Sequence, residues 1–375
     1  MRRKIRALTA ALAVSAAASA SIASSAQAVP SKFWGVVPQA QPTPGQLERL
    51  KRGGVDSMRI PVVWPLVQAS PGGAFDWSGV DSQVEDIARA GIKVLPFLSG
   101  APEWAVPSVF VPGSHRTARA PRNLPASGAA ASGWSAFVSA AVVRYGPGGT
   151  FWSEHPELPA RPIRIWQIWN EANFKYFVAR PSPAEYGKLL KLSFSAIRAV
   201  DPGAQLVLGG LFARPGEATF KVKPPQAYFA TDFLDKLYRT TPGVKSKFAG
   251  VALHPYTSEF QQLEPDIEEF RAVLRRHHDS SKGLWITELG WSSMPRAGHD
   301  AFAKGPKGQV TQLKGAFGLF KRWQAKWRLK RIYWFSIEDA PRGVCNFCEG
   351  TGLFKPGFIP KKSWAAYVRF AGGRP

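Results

Sequence analysis

Beyond residue 30 the chain alternates: a short, near-continuously apolar run, a loop, then an amphipathic stretch, eight times over. The apolar runs are Phe33–Val37, Val55–Val63, Ile92–Leu98, Ile163–Trp169, Gln205–Gly209, Gly250–His254, Leu284–Glu288 and Ile332–Ile337. Runs that are apolar at both parities suit strands covered on both faces, as in a parallel sheet packed under helices. The amphipathic stretches open on helix-start signals: Thr43-Pro44, Ser78, Ser182-Pro183 and Pro265-Asp266. Leu313, Ala316, Phe317, Phe320 and Trp327 share one helical face, and a last helix is expected near Ser363–Phe370. Eight such units predict an α/β chain folded as a single (β/α)8 TIM barrel. The competing doubly wound sheet usually carries a Gly-rich phosphate turn after its first strand, and Val37-Pro38-Gln39 has none. No break in composition marks a second domain, so residues 29–375 are expected to form one catalytic-sized unit.

The first 28 residues differ from the rest. Arg2, Arg3, Lys4 and Arg6 precede a small-residue apolar stretch from Leu8 to Ala23, and Ala26-Gln27-Ala28 follows. That is the layout of a secretory signal peptide cleaved after Ala28, giving an exported protein. The apolar run is too short and too Ser-rich to span a bilayer, and no other stretch reaches that length. Export bears on Cys345 and Cys348, the only two cysteines. Outside the cytosol a C-x-x-C is read as a local disulfide. A zinc site would need a second ligand pair, and a redox pair a strand-to-helix setting that the surrounding glycines do not offer.

The charge is lopsided. Forty-nine Lys and Arg against 26 Asp and Glu give +23, or +19 once the four cations of the signal are gone. A polyanion is implied somewhere in this protein's life: nucleic acid, anionic envelope polymer or acidic substrate. No interleaved aromatic motif of a nucleic-acid fold accompanies the charge, so nucleic acid ranks last. Nor is there a P-loop, an H-E-x-x-H or an EF-hand pattern, and no metal or cofactor is expected.

In a barrel, chemistry gathers at the C-terminal ends of the strands. Those ends carry Arg59 on strand two and Glu103-Trp104 after strand three. Trp169-Asn170-Glu171 closes strand four, and His254-Pro255-Tyr256 closes strand six. Glu288 and then Trp291 follow strand seven, and Trp334 sits on strand eight. Carboxyls and indoles crowd one rim. That mixture suits cleavage of a glycosidic bond, which needs one carboxyl to protonate the leaving oxygen, a second to meet the oxocarbenium centre, and flat rings to stack on sugars. A lone carboxylate at a strand end is as readily a loop cap; two on the fourth and seventh strands are a pattern.

Trp169-Asn170-Glu171 and Ile286-Thr287-Glu288 resemble the paired-glutamate signature of the large (β/α)8 superfamily of retaining glycoside hydrolases. Ala101-Pro102-Glu103-Trp104-Ala105 and His254-Pro255-Tyr256 are most similar to the branch holding β-xylosidases, α-L-iduronidase and bacterial exopolysaccharide endoglycosidases. The resemblance implies a carbohydrate substrate, with Glu171 as acid/base and Glu288 as nucleophile. It implies that Asn170 binds the sugar 2-hydroxyl, that Arg59 and Tyr256 attend the nucleophile, that His254 lines the rim, and that Trp334 is a platform under the reactive sugar. Glu103, Trp104 and Trp291 are further substrate-binding candidates. Glu103, Glu338 and Asp339 rival the catalytic pair but are read as binding sugar hydroxyls or capping loops.

Two basic concentrations remain. Arg116, Arg119 and Arg122 after strand three, with Lys221 and Lys223 after strand five, should rim the cleft and would suit an anionic glycan. Lys321, Arg322, Lys326, Arg328, Lys330 and Arg331 lead into the start of strand eight, at the opposite end of the barrel. They are either a solvated face or a salt-sensitive patch for anionic cell-envelope polymer. The leading expectation is a monomeric, secreted glycoside hydrolase; the alternative is a barrel that binds carbohydrate or envelope polymer without turnover.

Overall fold

The structure is a computed structural model that describes residues 33–109, 122–214, 227–295, 301–341 and 348–375. The signal segment, Cys345 and four of the rim cations (Arg116, Arg119, Lys221, Lys223) lie outside the described residues.

Eight parallel strands close into one barrel. They are β1 (Trp34–Val37), β2 (Ser57–Val63), β3 (Lys93–Ser99), β4 (Ile165–Ile168), β5 (Gln205–Leu208), β6 (Gly250–His254), β7 (Gly283–Leu289) and β8 (Leu329–Phe335). Each pairs with its sequence neighbour, β8 returns to β1, and Val207 opposite Gly250 joins β5 to β6. A two-residue extension at Leu211–Phe212 continues β5 alongside β6. The long helices are α1 (Pro44–Arg52), α2 (Ser78–Arg89), α3 (Gly128–Tyr145), α4 (Pro183–Val200), α5 (Ala230–Thr240), α6 (Leu263–Arg276), α7 (Gly305–Trp323) and α8 (Lys362–Ala371), and one-turn helices lie at Trp64–Val67 and Thr150–Glu154. The fold is the predicted (β/α)8 barrel. Two caps read from sequence are present: Thr43 and Gln46 form a capping box ahead of Pro44, and the Ser182 side chain accepts from Glu185 N.

Alternation along each strand splits the apolar residues into two layers. Val36, Ile60, Leu98, Trp166, Leu253, Ile286, Ile332 and Trp334 face the helices in the large outer cluster. Val37, Leu95, Val207, Ala252, Trp285, Tyr333 and Phe335 fill the barrel itself. The lumen is thus plugged by side chains below, and the polar residues of the same parity (Arg59, Gln167, His254) lie nearer the C-terminal mouth. Trp34 stacks on Phe317 at 4.5 Å and belongs to the outer core.

Cys348 is disulfide-bonded and 2% exposed, packed in the inner cluster beside Phe335 and Ala340. No helix among the described residues is long and apolar enough to cross a membrane.

Candidate active site

Arg59 organises the mouth of the barrel. It has no exposed surface, so each of its donors needs a partner. Nε donates to Gln167 Oε1 at 2.6 Å, Nη2 to Asn170 Oδ1 at 2.7 Å and Nη1 to Glu288 Oε1 at 2.6 Å, while the guanidinium lies 4.0 Å from the centre of the Phe97 ring. One planar fork therefore ties β2 to β4 and β7.

Two local irregularities aim the glutamates inward. On β7, Ile286 pairs with Ile332 but Leu289 with Trp334, so β7 carries one residue more than β8 over the same span. Such a bulge breaks strict alternation. Thr287 and Glu288 consequently both reach the lumen. After β4, Trp169 has φ 68° and Glu171 φ 42°, a left-handed turn built without glycine. Non-Gly residues sit there only when their surroundings hold them, and such positions concentrate at functional sites. The turn sends Asn170 to Arg59 and Glu171 to His254.

His254 bridges the two strands. Its Nδ1 lies 2.7 Å from Glu171 Oε1 and 3.7 Å from Glu288 Oε2, and its Nε2 lies 2.9 Å from Thr287 Oγ1. Gly210 makes room for this: a Cβ there would fall 1.9 Å from His254 Nε2 and 2.5 Å from Thr287 Oγ1. Gln167 completes the lattice, donating from Nε2 to Leu208 O at 3.0 Å and Thr287 Oγ1 at 3.3 Å. On the other side, Tyr256 OH donates to Glu288 Oε2 at 3.0 Å.

The two carboxyls have unlike surroundings. Burial, then the charge of Glu288, pushes Glu171 well above the usual carboxylate range, with only Arg59 opposing. Burial also raises Glu288, but there the Arg59 charge and hydrogen bonds from Tyr256 and Arg59 pull the other way. Glu171 is the member that keeps its proton and Glu288 the one that ionises first. Burial and the nearby guanidinium hold His254 well below 6.5, so the ring is neutral at neutral pH. Tyr256 is pushed well above 10 by burial and the two glutamates, and stays a donor.

One oxygen each of Glu171 and Glu288 and a nitrogen of His254 lie within 4.8 Å of one another, which is also metal-ligand reach. A divalent cation among them would face the buried Arg59 guanidinium, which already holds Glu288. The donor set fits proton transfer and nucleophilic attack better than metal binding.

The structure thus brings together Arg59, Asn170, Glu171, His254, Tyr256 and Glu288. Four other candidates are engaged elsewhere. Trp334 and Trp291 have no exposed surface; their indole N–H groups donate to Thr351 O and Thr257 O, and the rings pack 6.2 Å apart. Neither offers a face to a sugar. Trp334 is not placed as the expected strand-eight platform: it shares the helix-facing parity of Ile332, while its neighbour Phe335 points into the lumen 6.4 Å from Tyr256. Glu103 is held by Arg122, Ser108 N and Ser108 Oγ and so ties its own loop, and Trp104 packs edge-on against Trp64 at 5.4 Å. Glu338 accepts from Gly357 N and Asp339 from Lys361 and Gly352 N, both loop-capping roles. Gln167, Thr287, Phe97, Gly210 and Phe335 also line the site, and, Gln167 aside, the sequence pattern does not distinguish them. A polar Gln two residues ahead of Trp169 in an otherwise apolar strand was the one available signal.

No protein-family model and no curated protein matches the chain. Solved structures do, at low identity. A family 39 glycoside hydrolase from Bacteroides cellulosilyticus WH2 is 19% identical with TM-score 0.61, over 92% of this chain and 64% of that one. A monomeric β-xylosidase from Caulobacter crescentus CB15 is 18% identical with TM-score 0.57, over 91% and 68%. Fungal β-1,4-galactanases are 13% identical with TM-score 0.56, over 89% and 93%. The likeness is one of fold: a (β/α)8 barrel of the kind these glycoside hydrolases share. The chain spans 64% of the length of the first of them.

Proposed function

We propose that the chain is a secreted glycoside hydrolase that cleaves an O-glycosidic bond of an oligo- or polysaccharide with retention of configuration. The observation that carries this is the pair Glu171 and Glu288, with one oxygen of each within 4.8 Å of the other and with Arg59 and Tyr256 opposing the effect of burial on Glu288 far more than on Glu171. Retaining enzymes hold their carboxyls about 5–5.5 Å apart, whereas inverting ones need roughly 6.5–9.5 Å to admit a water.

In the proposed reaction Glu288 Oε2 or Oε1 attacks the anomeric carbon while Glu171 gives its proton to the departing glycosidic oxygen. The C–O bond to the leaving group breaks and a glycosyl ester forms on Glu288. Glu171, now ionised, takes a proton from water as that water attacks the same carbon, and the ester carboxylate leaves. Arg59 and Tyr256 offset the negative charge on Glu288 whenever it is free. Asn170, whose Oδ1 accepts from Arg59, would donate from its amide nitrogen to the 2-hydroxyl. The neutral His254 ring holds Glu171 Oε1 through Nδ1 and fixes that carboxyl, leaving the other oxygen of Glu171 for proton transfer to and from the glycosidic oxygen and water. The signal peptide of residues 1–28 delivers the enzyme outside the cell, where the disulfide that engages Cys348 persists.

A product-resolved panel of poly- and oligosaccharides, run with the wild type and Glu288→Gln, tests the proposal. Hydrolysis of at least one glycan by the wild type, reduced at least 1,000-fold in the variant, is expected; undiminished hydrolysis by the variant would remove the assigned mechanism.

A further inference from the structure

The barrel has a second charged surface at the end opposite the glutamates. It is built from residues far apart in sequence. Lys282, just ahead of β7, donates to Lys245 O and Phe248 O, drawing the segment after α5 against the base of β7. Leu284 N bonds Arg328 O, and a Cβ on Gly283 would lie 2.8 Å from Lys330 Cγ, so the entry to β8 runs alongside. Trp327 Nε1 donates to Glu268 on α6, and Trp327 packs 6.2 Å from Trp323 at the end of α7. The half-buried Trp323 ring carries Arg322 at 5.0 Å and Lys326 at 4.5 Å.

Acids here are few and already committed. Glu268 takes Lys326 and Arg275, Asp279 takes Lys282 and Tyr238, and Asp235 takes Arg239, Arg276 and His277. Lys245, Lys321, Arg322, Arg328 and Lys330 are all exposed and have no acidic partner among the described residues. The C-terminal ends of α5, α6 and α7 converge on this face, and cations do suit helix C-termini. Each such end is worth about half a negative charge, so three offset roughly 1.5 of these five cations. The remainder repel. Beyond the effect of burial, Arg271 is depressed by Arg328 and Arg275, and Lys282 by Lys245. Strands of seven residues put this face about 20 Å from the glutamates, too far to touch the sugar being cleaved.

We propose that this basal face is a docking surface for an anionic polysaccharide, one bearing carboxylate or sulfate groups, which holds the protein on a polymer while the opposite mouth stays open. A repeating polyanion satisfies several exposed cations at once and releases their counterions. A glycan fits better than a single-stranded nucleic acid: sequence-independent binding of such a strand relies on successive exposed aromatic platforms, and the patch offers one half-buried indole already covered by two cations. Docking requires no hydrolysis, so it stands or falls apart from the proposed reaction.

The test uses the full mature chain carrying Glu288→Gln, so that no polymer is consumed. Binding to fluorescent polygalacturonate, dextran sulfate, neutral dextran and single-stranded DNA of matched length is titrated at several NaCl concentrations. Binding to the two anionic glycans that falls at least tenfold between 50 and 200 mM salt is expected, with none to neutral dextran. Lys321→Gln/Arg322→Gln/Lys330→Gln should weaken that binding at least tenfold while leaving the melting temperature unchanged. Equal binding to neutral dextran, tighter binding to DNA, or an unaltered triple variant would each overturn the proposal.

Discussion

The Arg59 guanidinium, sealed from solvent, holds Glu288 Oε1 at 2.6 Å, so the strand-two cation and the strand-seven carboxylate form one buried unit. Removing the cation leaves a carboxylate in a dry site with Tyr256 as its remaining donor. Arg59→Met is expected to lower kcat/KM by about 100-fold or more. The acid limb of the pH profile should also move to higher pH, because Glu288 loses the charge that favours its ionised form. A profile whose acid limb stays in place would show that Arg59 does not govern Glu288.

Glu171 stores strain of an electrostatic kind. Its carboxyl pKa is raised in the folded chain, so the native state keeps a proton that the unfolded chain releases above about pH 4.3. Stability from this group is present below that pH and is lost as pH rises toward the folded pKa. Glutamine does not titrate. Glu171→Gln should therefore melt with the wild type at pH 4 and measurably above it at pH 8, while turnover collapses. Thermal melts at the two pH values check this; a variant no more stable at pH 8 than at pH 4, relative to wild type, refutes the assignment.

Phe335 and Trp334 are neighbours with opposite duties. Phe335→Ala removes a ring from the lumen beside Tyr256 and should raise KM for the best glycan about tenfold or more, with a smaller loss of stability. Trp334→Ala empties a packed site between barrel and helices and should cost about 3–5 kcal/mol of stability by denaturant titration. The reverse pattern would contradict these two assignments.

The strand order was legible because strands buried on both faces leave unbroken apolar runs, and Glu171 and Glu288 were legible because they end such runs. The same property hid the register: where Tyr333, Trp334 and Phe335 are all aromatic, period-two alternation gives no contrast, and the larger indole drew the assignment. The bulge that turns Glu288 inward and the left-handed turn at Trp169 and Glu171 leave no Gly or Pro signature in the sequence. Gln167 and Thr287 matter only through partners on other strands, which no local pattern reveals. Trp291 follows strand seven in sequence, as a rim residue would, but its N–H is spent on Thr257 O within the core.

The central claim is that Glu171 and Glu288 act in turn on one sugar carbon. Proton NMR of the first product, recorded before mutarotation on the best glycan from the panel, tests it most directly. The separation of the two carboxyls predicts a product anomer matching the bond that was cleaved. A first product of inverted configuration would contradict the account.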